Sequence, residues 1–164
     1  MEVTHMAFVL QILIAESSNH AMESRSEVVA VPGLGLVGDR YFGGRGTFSP
    51  QPQKPDFELT LIESEKIETF ARESKLEFTA IHARRNIVTC GVDLNALVWK
   101  DFMIGSVRVR GVRLCEPCSY LAKISYPETL RGLVHKGGLR ARILSEGVIR
   151  VDDPIEIIEE QAEL

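Results

Sequence analysis

Between Ile104 and Leu114 the chain alternates apolar and polar residues, and the phase of that alternation slips at Gly111. Val107 and Val109 point one way, and Val112 and Leu114 continue the pattern at the opposite parity. Successive side chains of a strand face opposite sides, so a slip of one residue would turn the second pair away from the core. A bulge at the glycine returns both pairs to one face and bends the strand, as at barrel rims. The segment therefore predicts one bent strand, running straight into Cys115-Glu116-Pro117-Cys118.

The rest of the chain repeats the theme of short apolar stretches between turn signals. Phe8, Leu10, Ile12 and Ile14 alternate and predict a first strand from about Ala7 to Ala15. Glu16 to Ser26 reads as a polar loop, and Val28 to Val31 as a strand ending at Pro32-Gly33. Phe57 to Ile62 is a strand candidate, followed by a helix capped by Ser64, with Ile67, Phe70 and Ala71 as its apolar stripe. Ile87 to Thr89 is an apolar strand. Ser119 to Ile124 is expected to form a short helix, and Ser125 with Glu128 has capping-box spacing for the next, with Pro127 in its first turn. After the Gly137-Gly138 break, Leu139 to Leu144 should be a strand, Ser145-Glu146-Gly147 a tight turn, Val148 to Val151 its return and Ile155 to Ile158 a last strand. Without long crossover helices, six or seven strands and two or three short helices predict a mainly β fold, a bent antiparallel barrel.

With 164 residues the chain suits a single domain with a real core. A net charge of −4 argues against nucleic-acid binding and confines any anion site to a few placed arginines. Met6 to Ala15, the longest apolar run, is too short to cross a bilayer and has no basic segment before it, so no membrane role and a cytoplasmic address are expected. Three cysteines, Cys90, Cys115 and Cys118, do not make a disulfide framework. Gly43 to Pro55, with three glycines, three prolines, Arg45 and Lys54, is the most loop-like segment, and loops of this length are usually functional or mobile.

Cys115 and Cys118 admit several readings. Structural zinc needs four ligands, whereas Cys90 stands alone and His5, His20, His82 and His135 are scattered. A dithiol pair normally follows a strand in a βαβ setting, which is missing here. A single thiolate at Cys118, after Pro117 and at the start of a short helix, would be favoured by the helix dipole and could act as nucleophile, persulfide carrier or soft-metal ligand. A buried cysteine closing a strand is the plain structural alternative.

Gly38-Asp39-Arg40-Tyr41 follows a glycine-rich run; there Arg40 can take a phosphate oxygen while Asp39 fixes the turn or the arginine, or the run is an ordinary connection. Arg84 and Arg85 precede a strand, so one can face a ligand while the other meets water, with Asn86 offering a donor and an acceptor, or the doublet is an ordinary solvated charge pair. Arg140, just past Gly138, is a third anion candidate, with Arg142 on the same face and His135 and Lys136 nearby.

In order along residues 28 to 158, the chain resembles the MOSC family, the C-terminal domain of molybdenum cofactor sulfurases that also occurs alone in bacteria. The resemblance is carried by Gly35-Leu36-Val37-Gly38-Asp39-Arg40-Tyr41, Leu61-Ile62-Glu63, Arg85-Asn86-Ile87-Val88, Gly91 to Leu97, Phe102 to Gly105, Glu116-Pro117-Cys118, Gly137 to Ala141 and Gly147-Val148-Ile149. It implies one MOSC domain over residues 1–164, a β-barrel-like fold and a cysteine, Cys118, that binds molybdenum cofactor (molybdopterin) or carries its sulfur. It also implies cofactor contacts at Asp39, Arg40, Arg85, Asn86, Gly138 and Arg140. The aminotransferase-like domain of complete sulfurases is expected to be absent, and Asp152 stands where the family usually has glycine. Two activities follow from the resemblance. One is reduction of N-hydroxylated small molecules at molybdenum ligated by Cys118, fed by a separate electron-donor protein. The other is a carrier that holds cofactor, or a persulfide on Cys118, for a cofactor-biosynthesis protein.

Overall fold

The computed structural model describes residues 6–42, 46 and 54–159. Of the loop expected at Gly43 to Pro55, only Gly46, Lys54 and Pro55 fall among them; Arg45, and His5 at the other end of the chain, lie outside the described residues.

The strands are β1 (Phe8–Ile14), β2 (Glu23–Arg25), β3 (Glu27–Val31), β4 (Gly35–Leu36), β5 (Leu59–Glu63), β6 (Ile87–Cys90), β7 (Asp101–Ile104), β8 (Val107–Leu114), β9 (Leu139–Ile143), β10 (Gly147–Arg150) and β11 (Ile155–Ile157). The α-helices are α1 (Ser64–Ser74), α2 (Ala80–Ala83), α3 (Ser119–Ile124) and α4 (Thr129–Gly132), with 3₁₀ turns at Pro55–Phe57 and Leu94–Leu97. Eight strands form one sheet in the order β11-β7-β8-β9-β5-β6-β1-β2, and three form a second, β10-β3-β4.

The large sheet curls into a barrel-like wall. Backbone hydrogen bonds tie its far side to β1: Val9 N–H donates to Asp153 O (2.9 Å), Asp152 N–H to Val9 O (2.8 Å) and Ile155 N–H to Ala7 O (2.9 Å), just before β11 pairs with β7. Two bulges bend the wall. In β8 the pairing with β9 steps from Gly111↔Ala141 to Arg113↔Arg140, which leaves Val112 as the extra residue and puts Leu114 opposite Leu139. The expected slip at Gly111 is therefore a bulge. Glycine is required there because a Cβ would collide with the Leu97 carbonyl. In β1 a second shift falls between Val9 and Gln11.

The strands feed two cores. Ile12, Ile14, Leu59, Leu61, Ile87, Phe102, Ile104, Val107, Val109 and Leu139 fill the interior, joined by Val28, Ala30, Leu36 and Ile149 from the small sheet. Leu13, Ile62 and Val88, one residue out of phase, face outward and pack against Ile67, Phe70, Phe78 and Leu133. That two-sided burial explains why β1, β5 and β6 read as nearly continuous apolar runs.

Several expectations need correction. Among the described residues there are eleven short strands and four α-helices. The wall is not wholly antiparallel, since β5 and β6 run parallel across the α1–α2 connection. Ile104 ends β7, and the expected single strand to Leu114 is a hairpin turning at Gly105-Ser106, followed by β8. β10 does not return against β9 but pairs with β3 in the other sheet. The polar loop before Ser26 contains β2. Glu63, not Ser64, caps α1. Ser125 closes α3, and Glu128 caps α4. The helix Ser119–Ile124 stands as expected.

Candidate functional site

Where β8 leaves the wall and turns into α3, a cavity of about 330 Å³ opens. Its wall includes Arg40, Arg84, Arg85, Arg113 and Arg140, together with Cys115 and Cys118. Glu116 contributes a carboxylate, but its two oxygens are engaged by the His135 backbone N–H (2.7 Å) and Nδ1 (3.1 Å).

Cys118 is the N-cap of α3, with extended backbone (φ −131°, ψ 169°), and its Sγ accepts the Leu121 N–H at 3.5 Å. It is partly exposed, whereas Cys115 is 1% exposed. The backbone of Cys115 closes the strand, donating to Gly138 O and accepting from Arg85. Among the described residues no group of three or more His, Cys, Asp or Glu side chains could hold a metal ion. The three cysteines are free; Cys115 and Cys118 both line the cavity, and of these two Cys118 is the one with solvent exposure.

The arginines come from four places. Arg113 on β8 and Arg140 on β9 are cross-strand partners, brought opposite each other by the bulge. Arg113 pairs with Asp56 (2.7 Å), and Arg140 lies over the Phe57 ring (4.9 Å to its centroid) with its Nε buried and without a hydrogen-bond partner. Arg40 follows β4, pairs with Asp39 (3.2 Å) and lies over Tyr41 (5.0 Å). Tyr41 and Phe57 are 5.9 Å apart, so two stacked guanidiniums share an aromatic wall.

Arg84 and Arg85 both reach the cavity, which corrects the expectation that neighbours on a strand would diverge. Arg84 is not on a strand; it caps α2 in the left-handed conformation (φ 58°, ψ 33°) and so turns the chain between the two side chains. For a residue with a Cβ that conformation costs roughly 1–2 kcal/mol. Arg84 donates to His20 O and Ser18 O (both 2.9 Å), and burial, then the charge of Arg40, lowers its pKa. Arg85 donates to the carbonyls of Gly137 (2.8 Å), Cys115 (3.1 Å) and Ala83 (3.3 Å). Among the described residues neither Arg84, Arg85 nor Arg140 has a carboxylate partner, so the cavity keeps a net positive wall.

Of the residues singled out from sequence, Cys118, Arg40, Arg85 and Arg140 converge on this cavity. Asp39, Asn86 and Gly138 stand behind its wall. Asp39 Oδ1 accepts from Ala15 N–H (3.1 Å), Arg40 and Asn86 Nδ2 (3.4 Å), and its Oδ2 from Tyr41 N–H (3.2 Å). Asn86 spends its amide on Leu13 O, Asp39 and the backbone and hydroxyl of Thr60. Gly138 (φ +107°) lets β9 pass the Leu61 carbonyl, which a Cβ would strike. Sequence reasoning missed Arg113, Tyr41, Phe57 and Tyr120 as wall residues; only the bulge before Arg113 hinted that its side chain is re-aimed.

A family model described as MOSC domain matches residues 45–156. Among solved structures, the YuaD protein from Bacillus subtilis is similar at a TM-score of 0.79 and 17% identity, covering 95% of this chain and 97% of that one. YiiM from Geobacillus stearothermophilus aligns at 0.72 and 17%, covering 93% and 75%, and YiiM from Escherichia coli at 0.65 and 18%, covering 94% and 73%. At these identities the likeness speaks for the fold. No curated protein matches by sequence. Among the described residues no helix is long and apolar enough to cross a membrane.

Proposed function

The chain belongs to the MOSC domain family, a family known for binding molybdenum cofactor, and from that premise we propose that it holds this cofactor in the arginine-lined cavity, with Cys118 as the protein's sulfur ligand. One observation carries the reading: the partly exposed Cys118 shares a cavity wall with five arginines, three of which lack a carboxylate partner among the described residues. The donor set fits the group. Guanidinium forks suit a phosphate, and the buried, unpartnered Nε of Arg140 is one hydrogen-bond donor still to be satisfied. A thiolate suits a soft metal centre.

When bound, the cofactor would supply two-electron redox chemistry, here reduction of an N-hydroxylated small molecule, with electrons from a separate protein. The chain's own part is placement. Arg113 and Arg140 would fix the phosphate across β8 and β9, Arg85 would add charge while holding Cys115 and Gly137 in place, and the α3 N-terminus would orient Cys118. The stacking of Arg40 and Arg140 on Tyr41 and Phe57 limits the rotamers open to both, so their orientation is set before a ligand arrives.

The test is metal analysis with intact mass, on protein expressed in a molybdenum-competent host, for wild type and Cys118→Ser. The serine variant should fold and lose molybdenum. Full molybdenum content in that variant would refute the ligand role. An added sulfur atom on Cys118 without metal would replace this reading by the persulfide carrier.

A further inference from the structure

A second cavity, of about 260 Å³, adjoins the first, and Arg84 and Ile124 belong to the walls of both. The rest of its wall includes Ser18, Ala21, Ile81 and His82. It has two characters. Ile81 and Ile124 are 49% and 41% exposed, so they give it an apolar surface open to solvent. Arg84 gives it a cation, and among the described residues no carboxylate lines it.

The Arg84 guanidinium is held, not saturated. It carries five N–H groups, of which two are committed, to the carbonyls of Ser18 and His20. His82 adds a donor: its Nδ1 accepts the Thr79 N–H (3.0 Å), which makes Nε2 the protonated nitrogen of the neutral ring. The cavity is coupled to the sulfur through the first turn of α3. Tyr120, two residues after Cys118, donates its hydroxyl to Ser18 O at 2.9 Å, the same oxygen that takes Arg84.

We propose that this second cavity is a binding site for small amphipathic carboxylates, the carboxylate on Arg84 and His82 and the apolar body along Ile81 and Ile124, and that it seats a carboxylate-bearing N-hydroxylated substrate next to the first cavity. Sites for drug-sized ligands begin near ~300 Å³, so a space of this size suits a single ring rather than a second large heterocycle. A carboxylate matches the guanidinium fork, and a cationic substrate would meet like charge from Arg84 and Arg40 together. The substrate role rests on the cofactor reading above; the binding does not.

Calorimetric titration of cofactor-free protein with benzoate, and with its neutral isostere benzamide, tests the site. Benzoate should bind at least ten-fold more tightly than benzamide, and Arg84→Gln should erase that preference. Ile81→Glu, at a half-exposed position, should keep the thermal midpoint and weaken benzoate at least ten-fold. Equal affinities in the wild type would overturn the proposal. So would benzoate binding that survives Ile81→Glu and disappears with Arg113→Gln, which would move the anion into the first cavity. These titrations use no molybdenum, so their failure leaves the ligand role of Cys118 standing, and failure of that role leaves them readable.

Discussion

The barrel interior and the polar floor beneath the arginine cavity are buried to a similar degree and held by opposite means. Phe102, Ile104, Val107 and Val109 are 0% exposed and belong to the apolar interior cluster, so their contribution is spread over many weak contacts. Asp39 and Asn86, 3% and 2% exposed, sit instead in a directed network joining β1, β5, β6 and the segment after β4. Removing one apolar group leaves a void that neighbours partly fill. Removing one member of the floor strands several donors at once.

Asp39→Ala should therefore be the most damaging change. It leaves the Ala15 and Tyr41 N–H groups without their acceptor and the buried Arg40 cation without its carboxylate, a loss of about 4 kcal/mol. Urea unfolding measures it, and a loss under about 1 kcal/mol would show that the floor tolerates disruption as the interior does. Gly138→Ala comes next. Its φ of +107° strains any side chain, and the new Cβ would strike the Leu61 carbonyl, so about 3 kcal/mol is expected, with β9 displaced from β5. If the variant's melting curve matched that of the wild type, the close approach of the two strands would be slack.

The same contrast separates what was legible in the sequence from what was not. Interior positions announce themselves by period two, which is how the Gly111 bulge and the existence of β1 could be read, although Leu10 of that alternation is exposed because the shift between Val9 and Gln11 turns Val9 inward instead. The pairing of β10 with β3 was not legible. Ser145-Glu146-Gly147 looks like a hairpin turn, and only burial of Ile149 beside Val28 and Ala30 decides against that. β2 and β4, at three and two residues, are too short to show a period. At the cavity, residue type suggested Cys118, Arg40, Arg85 and Arg140, and the family resemblance linked segments that no local pattern connects. Arg84 misled because a left-handed residue between a four-residue helix and a strand has no sequence signature when it is not glycine or asparagine.

Ile104→Val measures the interior side of the comparison on a finer scale. Losing one methylene from a fully buried site should cost about 1 kcal/mol, with no change in cofactor content. A change in molybdenum loading without a stability loss of that size would mean that the interior and the cavity are mechanically coupled.

Glu58 tests the other side, and its effect should be the smallest and opposite in sign. It is 2% exposed, and one oxygen, Oε1, accepts both Gly33 N–H (2.8 Å) and Ile143 N–H (3.2 Å), tying the β3–β4 turn to β9. Burial raises its pKa above the ordinary 4.5, against the pull of those two N–H groups and of Arg142. With the folded value above the unfolded one, its contribution is fully present below the unfolded pKa and is lost as pH rises through the folded pKa. At neutral pH the buried carboxylate is therefore a cost. Glu58→Gln keeps an amide oxygen for both N–H donors and sheds the charge, so it should match or exceed the wild type by under about 1 kcal/mol at pH 7. That advantage should vanish once the pH falls below about 4.5, where the wild-type carboxyl is protonated in both states. Paired urea titrations at neutral and acid pH read the difference, and a wild type more stable than the glutamine variant at pH 7 would mean that the charge of Arg142 outweighs burial.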